Sequence, residues 1–203
     1  MVDAINAAAR KVPAWLLYVL AALPPAWLLY LAATGGLGVE PVNALERELG
    51  LLSLQLLLVG LAITPLQRLA GIRLLKFRRA IGVVSFVYVL LHLLVWAALD
   101  VQILSQVWAD ILKRPYITVG MAGFVLLIPL AVTSNDRSVR ALGPRWRSLH
   151  RLVYAAVLLG AAHFVMVQKV WEVEALAYLG AAAGLIAVRY LPKRRTRRDA
   201  RPA

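Results

Sequence analysis

The stretch HRLVYAAVLLGAAH runs from His150 to His163, and eleven of the twelve residues between its two histidines are apolar or glycine. A helix needs about 20 apolar residues to cross a bilayer. This segment extends naturally to such a length, about Leu149–Val167. Five more blocks of the same kind can be marked: about Ala14–Thr34, Leu49–Leu66, Ala80–Leu99, Ile117–Ser134 and Val173–Leu191. Across all 203 residues the chain is 62% hydrophobic, against roughly 45–50% in soluble domains. Its mean hydropathy is +0.74. The expected fold is therefore an all-α integral membrane protein, a six-helix bundle forming one transmembrane domain over residues 1–203. Pro24, Pro25, Pro65 and Pro129 fall inside blocks, which membrane helices tolerate when neighbours satisfy the freed carbonyls.

The charges orient the bundle. With the N-terminus inside, cytoplasmic segments carry 19 of the 23 Lys and Arg: Arg10 and Lys11, five from Arg68 to Arg79, five from Arg137 to Arg151, and seven from Arg189 onward. The outer segments hold Arg47, Lys113, Arg114 and Lys169, with seven of the ten acids: Glu40, Glu46, Glu48, Asp100, Asp110, Glu172 and Glu174. This is the positive-inside pattern, and it predicts both termini in the cytoplasm. The net charge of +13 thus sets topology, and nucleic acid is not the expected partner. The basic tail, 192–203, reads as an arm against anionic lipid. The first block is too long for a signal peptide and lacks a cleavage site, so it reads as an uncleaved helix. GAAAG at Gly180–Gly184 suggests close helix packing. Gln55 reads as an interhelical hydrogen-bonding residue.

Chemistry has few carriers here. There is no cysteine, which excludes disulfides, iron–sulfur ligation, thiol catalysis and covalent haem attachment. Apart from Glu174 at the outer edge of the last block, none of the six contains Asp or Glu, so the intramembrane carboxylate that many proton-coupled transporters need is missing. Three histidines remain: His92, His150 and His163. The third and fifth blocks both start on the cytoplasmic side. His92 lies thirteen residues past Arg79, and His163 thirteen past His150, so both sit roughly 20 Å from the inner boundary. Two imidazoles at matched depth on parallel helices are the ligand set of a bis-histidine b-type haem. The competing reading is a haem-free transporter or packing subunit whose histidines only hydrogen-bond across helices. A three-histidine zinc site needs every ligand within about 2.1 Å of one ion, and His150 lies about 20 Å from His163.

Histidines one leaflet apart on a helix suit two stacked haems. Arg78 stands fourteen residues before His92, and His150 thirteen before His163. Fourteen helical steps return to within about 40° of the same face, while thirteen leave an offset near 140°. The fifth helix is therefore expected to bulge or kink, or the inner haem to be differently oriented.

RRAIGVVSFVYVLLH (Arg78–His92) and TSNDRSVRALGPRWRSLHRLVY (Thr133–Tyr154) resemble the ferric-reductase-like transmembrane domains. Within that family they are most similar to the haem-binding membrane subunits of periplasmic methionine sulfoxide reductase systems. The resemblance covers essentially all six helices. It implies two b-haems, with His92 and His163 as axial ligands of the outer one and His150 holding the inner one. The fourth histidine of the wider family's pattern is replaced by Arg78, a poor metal ligand. A propionate contact is the haem role open to Arg78; topology and lipid contact are its other reading. No G-x-G-x-x-G nucleotide motif is present. The resemblance implies FMN association and a quinol or cytoplasmic flavin-reductase donor. It implies a bacterial inner-membrane location, and as acceptor a periplasmic molybdenum-cofactor reductase that repairs methionine sulfoxide in oxidised proteins. The chain would then be an electron-transfer subunit rather than an enzyme on its own. A ferric or other metal reductase with a different acceptor is the nearer alternative.

Overall fold

The computed structural model describes residues 1–190. The tail at 192–203 lies outside the described residues, as does Leu191. All regular structure among the described residues is helical, and six segments are long and apolar enough to cross a membrane.

A short helix, α1 (Val2–Lys11), precedes the first span. Its Asn6 is buried and grips the turn after the second span, donating from Nδ2 to the Gly71 carbonyl (3.1 Å) and accepting from the Arg73 N–H (2.8 Å). The first span is broken into α2 (Leu16–Leu20) and α3 (Leu23–Ala33). Pro24 and Pro25 open α3, and Pro25 has no N–H to offer the Ala21 carbonyl four residues earlier. The Tyr88 hydroxyl donates to that carbonyl instead, at 2.7 Å.

The second span is the thirty-residue α4 (Pro41–Ala70), which begins eight residues before the expected Leu49. It ends at Gly71, whose left-handed φ of 72° needs a residue without a Cβ. Pro65 inside α4 frees the Leu61 carbonyl. Arg189 Nη2, on the last helix, donates to it at 2.7 Å. Arg189 had counted as a tail cation in the charge pattern; the structure turns it back into the bundle.

The third span comprises a 3₁₀ turn (Leu75–Phe77), α5 (Arg78–Leu94) and a π-helical end (Val95–Val101). After the connecting α6 (Leu104–Lys113) comes α7 (Pro115–Val132), the fourth span. Two short helices, α8 (Asp136–Leu142) and α9 (Pro144–Leu149), lead into α10 (Leu152–Val167). The last span is α11 (Val173–Tyr190).

α4 packs on α5, α7 on α10, and α11 on both α10 and α4. Leu61, Val157 and Ala161 are essentially fully buried where these helices meet. α7 and α10 run close enough at Gly123 that a Cβ there would make ordinary contact with the Ala156 carbonyl at 3.5 Å. The packing expected of Gly180 and Gly184 is not found: nothing lies within 4 Å of a Cβ built at either, and Ala182 between them is the buried residue. Gln55 Nε2 donates to the Tyr178 hydroxyl at 2.7 Å, joining α4 to α11 as expected.

Candidate functional site

Two histidines from different spans meet inside the bundle. His92 on α5 and His163 on α10 have ring centres 6.3 Å apart, with their planes at 72°. Each is held by a helix other than its own. His92 Nδ1 donates to the Glu46 carbonyl of α4 (2.9 Å), and His163 Nδ1 donates to the Tyr116 carbonyl of α7 (2.7 Å). A carbonyl can only accept, so each Nδ1 carries the proton and each Nε2 keeps its lone pair. A backbone carbonyl on the far nitrogen is the usual way to fix a metal-binding imidazole's tautomer and direction.

Glycines make room for both rings. A Cβ at Gly50 on α4 would stand 3.0 Å from His92 Nδ1, and one at Gly120 on α7 would stand 2.9 Å from His163 Nδ1. The sequence reading had not singled out these positions. Their only signal is a lone glycine near the outer end of a span.

The pair lines a cavity of about 660 Å³. Leu54, Val89, Phe124 and Gly160 line its apolar part, while Glu40, Glu46, Asp100 and Glu172 also border it, with Arg47, Arg114 and Lys169. Glu46 was assigned to an outer connecting segment; the earlier start of α4 places it in the cavity wall.

His150 lies elsewhere, in a second cavity of about 490 Å³ nearer α1. It occupies the break between α9 and α10, where the 150–151 turn replaces regular helix. Here the chain supplies the irregularity that a thirteen-residue spacing called for. Trp146 stacks on the His150 ring, with centroids 3.9 Å apart, and donates from Nε1 to the Thr133 carbonyl (2.9 Å). His150 Nε2 lies 3.0 Å from Thr133 Oγ1. That hydroxyl's single proton goes to the Pro129 carbonyl at 2.6 Å, so Nε2 is the donor to it. His150 is therefore in the opposite tautomeric state to the pair: its Nε2 is engaged.

Arg78 borders this second cavity with Arg79, Arg147 and Arg151, and no carboxylate is among the described residues lining it. Arg79 is paired with Asp136 at 2.7 Å. Leu57 and Leu127 line both cavities and form the partition between them. Beside that partition Phe86 and Phe124, one from each cavity, stack 5.8 Å apart and within 7° of parallel.

The structure thus joins His92 with His163 and His150 with Arg78, in separate cavities. Among the described residues, no group of three or more His, Asp or Glu could hold a metal ion together. Asp110, counted with the acids of the outer segments, is not free at the surface: it is 5% exposed and receives Gln106 Nε2 (2.9 Å) and Arg114 Nε (3.3 Å).

Six apolar spans around an internal imidazole pair define a multi-pass helical membrane protein with a histidine-lined interior. Residues 48–161 match the family described as "Ferric reductase like transmembrane component". The chain is 46% identical to the "Protein-methionine-sulfoxide reductase heme-binding subunit MsrQ" of Agrobacterium fabrum over 176 residues, covering 86% of this chain and 82% of that one. Identity is also 46% to the protein of that description from Brucella ovis, over 188 residues, 92% of this chain and 86% of that one. The Brucella anthropi protein is 44% identical over 173 residues, 85% and 79% of the two chains. No solved structure matches the chain. The chain belongs to the ferric-reductase-like transmembrane family, in its MsrQ branch.

Proposed function

We propose that the chain is the haem-binding electron-transfer subunit of a protein-methionine-sulfoxide reductase system in the bacterial inner membrane, carrying electrons outward to a periplasmic molybdenum-cofactor catalytic subunit. The observation that carries this reading is the His92–His163 pair, 6.3 Å between ring centres, each ring tethered through Nδ1. Two metal–imidazole bonds of about 2.0–2.1 Å plus the two ring half-widths span roughly 6 Å. The spacing, the free Nε2 atoms and the gaps over Gly50 and Gly120 all fit a haem iron between the rings.

In this reading His92 and His163 would hold an outer b-haem. His150 would hold an inner one once its Nε2 is released from Thr133, with Arg78 available to its propionates. Bound haem supplies one-electron chemistry that no side chain here can supply. The protein's own contribution is placement. His92 and His163 fix one site, Leu57 and Leu127 keep the partition dry, and the inner arginines offer positive charge to anionic groups. On this reading the donor is quinol or a cytoplasmic flavin reductase, with FMN association as the family resemblance implies, and both termini are cytoplasmic. A C-terminal reporter active only in the periplasm would overturn the orientation and the inner and outer assignments together.

The test is haem content and the reduced absorption spectrum of three variants, each confirmed as folded. His92→Ala and His163→Ala should each remove the same six-coordinate low-spin signal. His150→Ala should remove a weaker, more labile component and leave that signal standing. Different spectra from the first two variants would disprove the pairing, and wild-type spectra from all three would end the haem reading.

A further inference from the structure

The connecting helix α6 (Leu104–Lys113) turns the buried Asp110 toward the bundle, with Val107 and Ile111 half-buried beside it and Gln106, one turn before Asp110, exposed at the edge of that face. Gln106 Nε2 donates to Asp110 Oδ1, and Asp110 is 5% exposed. Leu104, Trp108 and Leu112 recur at every fourth position and form one stripe on the other side. They are 83%, 64% and 68% exposed, and Ile103 beside them is 62% exposed.

Both ends of this helix are tied to spans. Gln102 and Ile103 alone separate it from the third span, which ends at Val101, and Arg114 alone separates it from Pro115, where the fourth begins. The reversal out of the third span is built in. Gln102 takes a left-handed backbone (φ 63°), and its Nε2 donates to the Leu99 carbonyl at 2.8 Å. Ten residues of helix extend about 15 Å, too short to cross hydrocarbon roughly 30 Å thick. The stripe also continues an apolar surface, since Leu94 and Leu99 at the end of the third span are about half exposed.

We propose that α6 is a monotopic element lying in the membrane–water interface on the face opposite α1, with Leu104, Trp108 and Leu112 among the lipid acyl chains. Its occupant is thus lipid rather than a partner protein. The polar side of such a helix normally faces water, as the exposed Ser105, Gln106 and Lys113 do here, while Asp110 is satisfied inside by Gln106 and Arg114. Trp108 at the centre of the stripe suits the interfacial belt in which indole rings collect. The arrangement fixes the depth of Arg114 and hence of the first turn of α7, which carries the Tyr116 carbonyl.

The absence of native cysteine makes the test direct, because an introduced thiol is the only one in the chain. Leu104→Cys, Trp108→Cys and Leu112→Cys would each carry a nitroxide in the full chain, reconstituted in phosphatidylcholine–phosphatidylglycerol vesicles. Val39→Cys, in a loop and 99% exposed, gives the aqueous reference; Val87→Cys, 44% exposed on the third span, gives the lipid reference. Ile103→Cys replaces any stripe variant that fails to fold. Accessibility to oxygen should match the Val87 reference at all stripe positions, and accessibility to a water-soluble nickel complex should fall several-fold below the Val39 reference. Nickel accessibility equal to that of Val39 would place the stripe in water as a docking face. Shielding from both reagents would mean that a second copy of the chain covers it. Either result overturns the proposal.

Discussion

Gly120 stands directly against His163: a methyl group on its Cα would lie 2.9 Å from Nδ1 and 3.1 Å from Cε1. The ring cannot retreat freely, because Nδ1 is bonded to the Tyr116 carbonyl at 2.7 Å. Gly120→Ala should therefore break that bond or tilt the ring, at a cost of about 1–3 kcal/mol typical of overpacking. The expected result is a folded protein with a weakened or shifted six-coordinate haem signal. Gly50→Ala should act the same way through His92, and Gly180→Ala, with open space at its Cβ and outside both cavities, should leave that signal unchanged.

Arg189 replaces a backbone donor that Pro65 lacks. Its removal in Arg189→Leu leaves the Leu61 carbonyl, on one of the most buried residues of the core, without a partner, and also releases the Tyr154 hydroxyl. A lost hydrogen bond to a charged group costs about 1.5–3 kcal/mol, so thermal stability in detergent should drop. In the Pro65→Ala background an N–H again faces Leu61, and the same substitution should cost measurably less. Equal losses in both backgrounds would show that the Leu61 contact contributes nothing.

Asp136 and Arg79 tie α8 to the start of α5 across 2.7 Å. The hydrogen bond from Arg79, reinforced by its charge, holds the Asp136 carboxyl below the ordinary aspartate range. A depressed carboxylate pKa stabilises the fold at pH values above the unfolded value of about 4 and loses that contribution as pH falls through the lower folded value. Asp136→Asn should lower neutral-pH stability slightly and flatten the acid limb by the same small amount, since the pair is exposed. Melting temperature against pH for the two proteins, at low and high salt, checks it.

With Asp110 buried, the exposed acids beside Trp171 are the outer-face charges available to a partner with a basic patch. Trp171 is 82% exposed, and Glu174 lies in the first turn of α11. Reversing Glu172 and Glu174 to lysine should slow electron delivery to the catalytic subunit several-fold at low salt and less at high salt, because such charges act mainly on association rate. Glu174→Lys also opposes the helix dipole, costing about 0.3–1 kcal/mol, so stability is measured alongside. Unchanged delivery rates would move the docking face elsewhere.

The spans and the histidine pair were legible because hydropathy and spacing along a helix are local properties. The matched depths of His92 and His163 followed from counting residues. What escaped was set by neighbours. The start of α4 at Pro41 lies in a stretch mixing Glu, Arg and Leu, where hydropathy alone sees a loop. Gly50 and Gly120 matter only because a ring from another helix arrives there. Asp110 looked like a surface acid until Gln106 and Arg114 closed over it, and Arg189 looked like part of a basic tail because nothing local ties it to Pro65, over a hundred residues earlier.

The cross-helix tethers make the interior a check on assembly. His92 takes its acceptor from α4, and His163 takes its own from α7. A slip of one turn between α4 and α5, about 5.4 Å, would remove the Glu46 carbonyl from reach and slide a bulkier residue into the space over Gly50. Both rings are held in place only when two separate helix pairs are in register. Cofactor loading would thus proofread the bundle: misregistered chains would stay empty and identifiable, while correctly threaded ones would be locked by the bond that completes them.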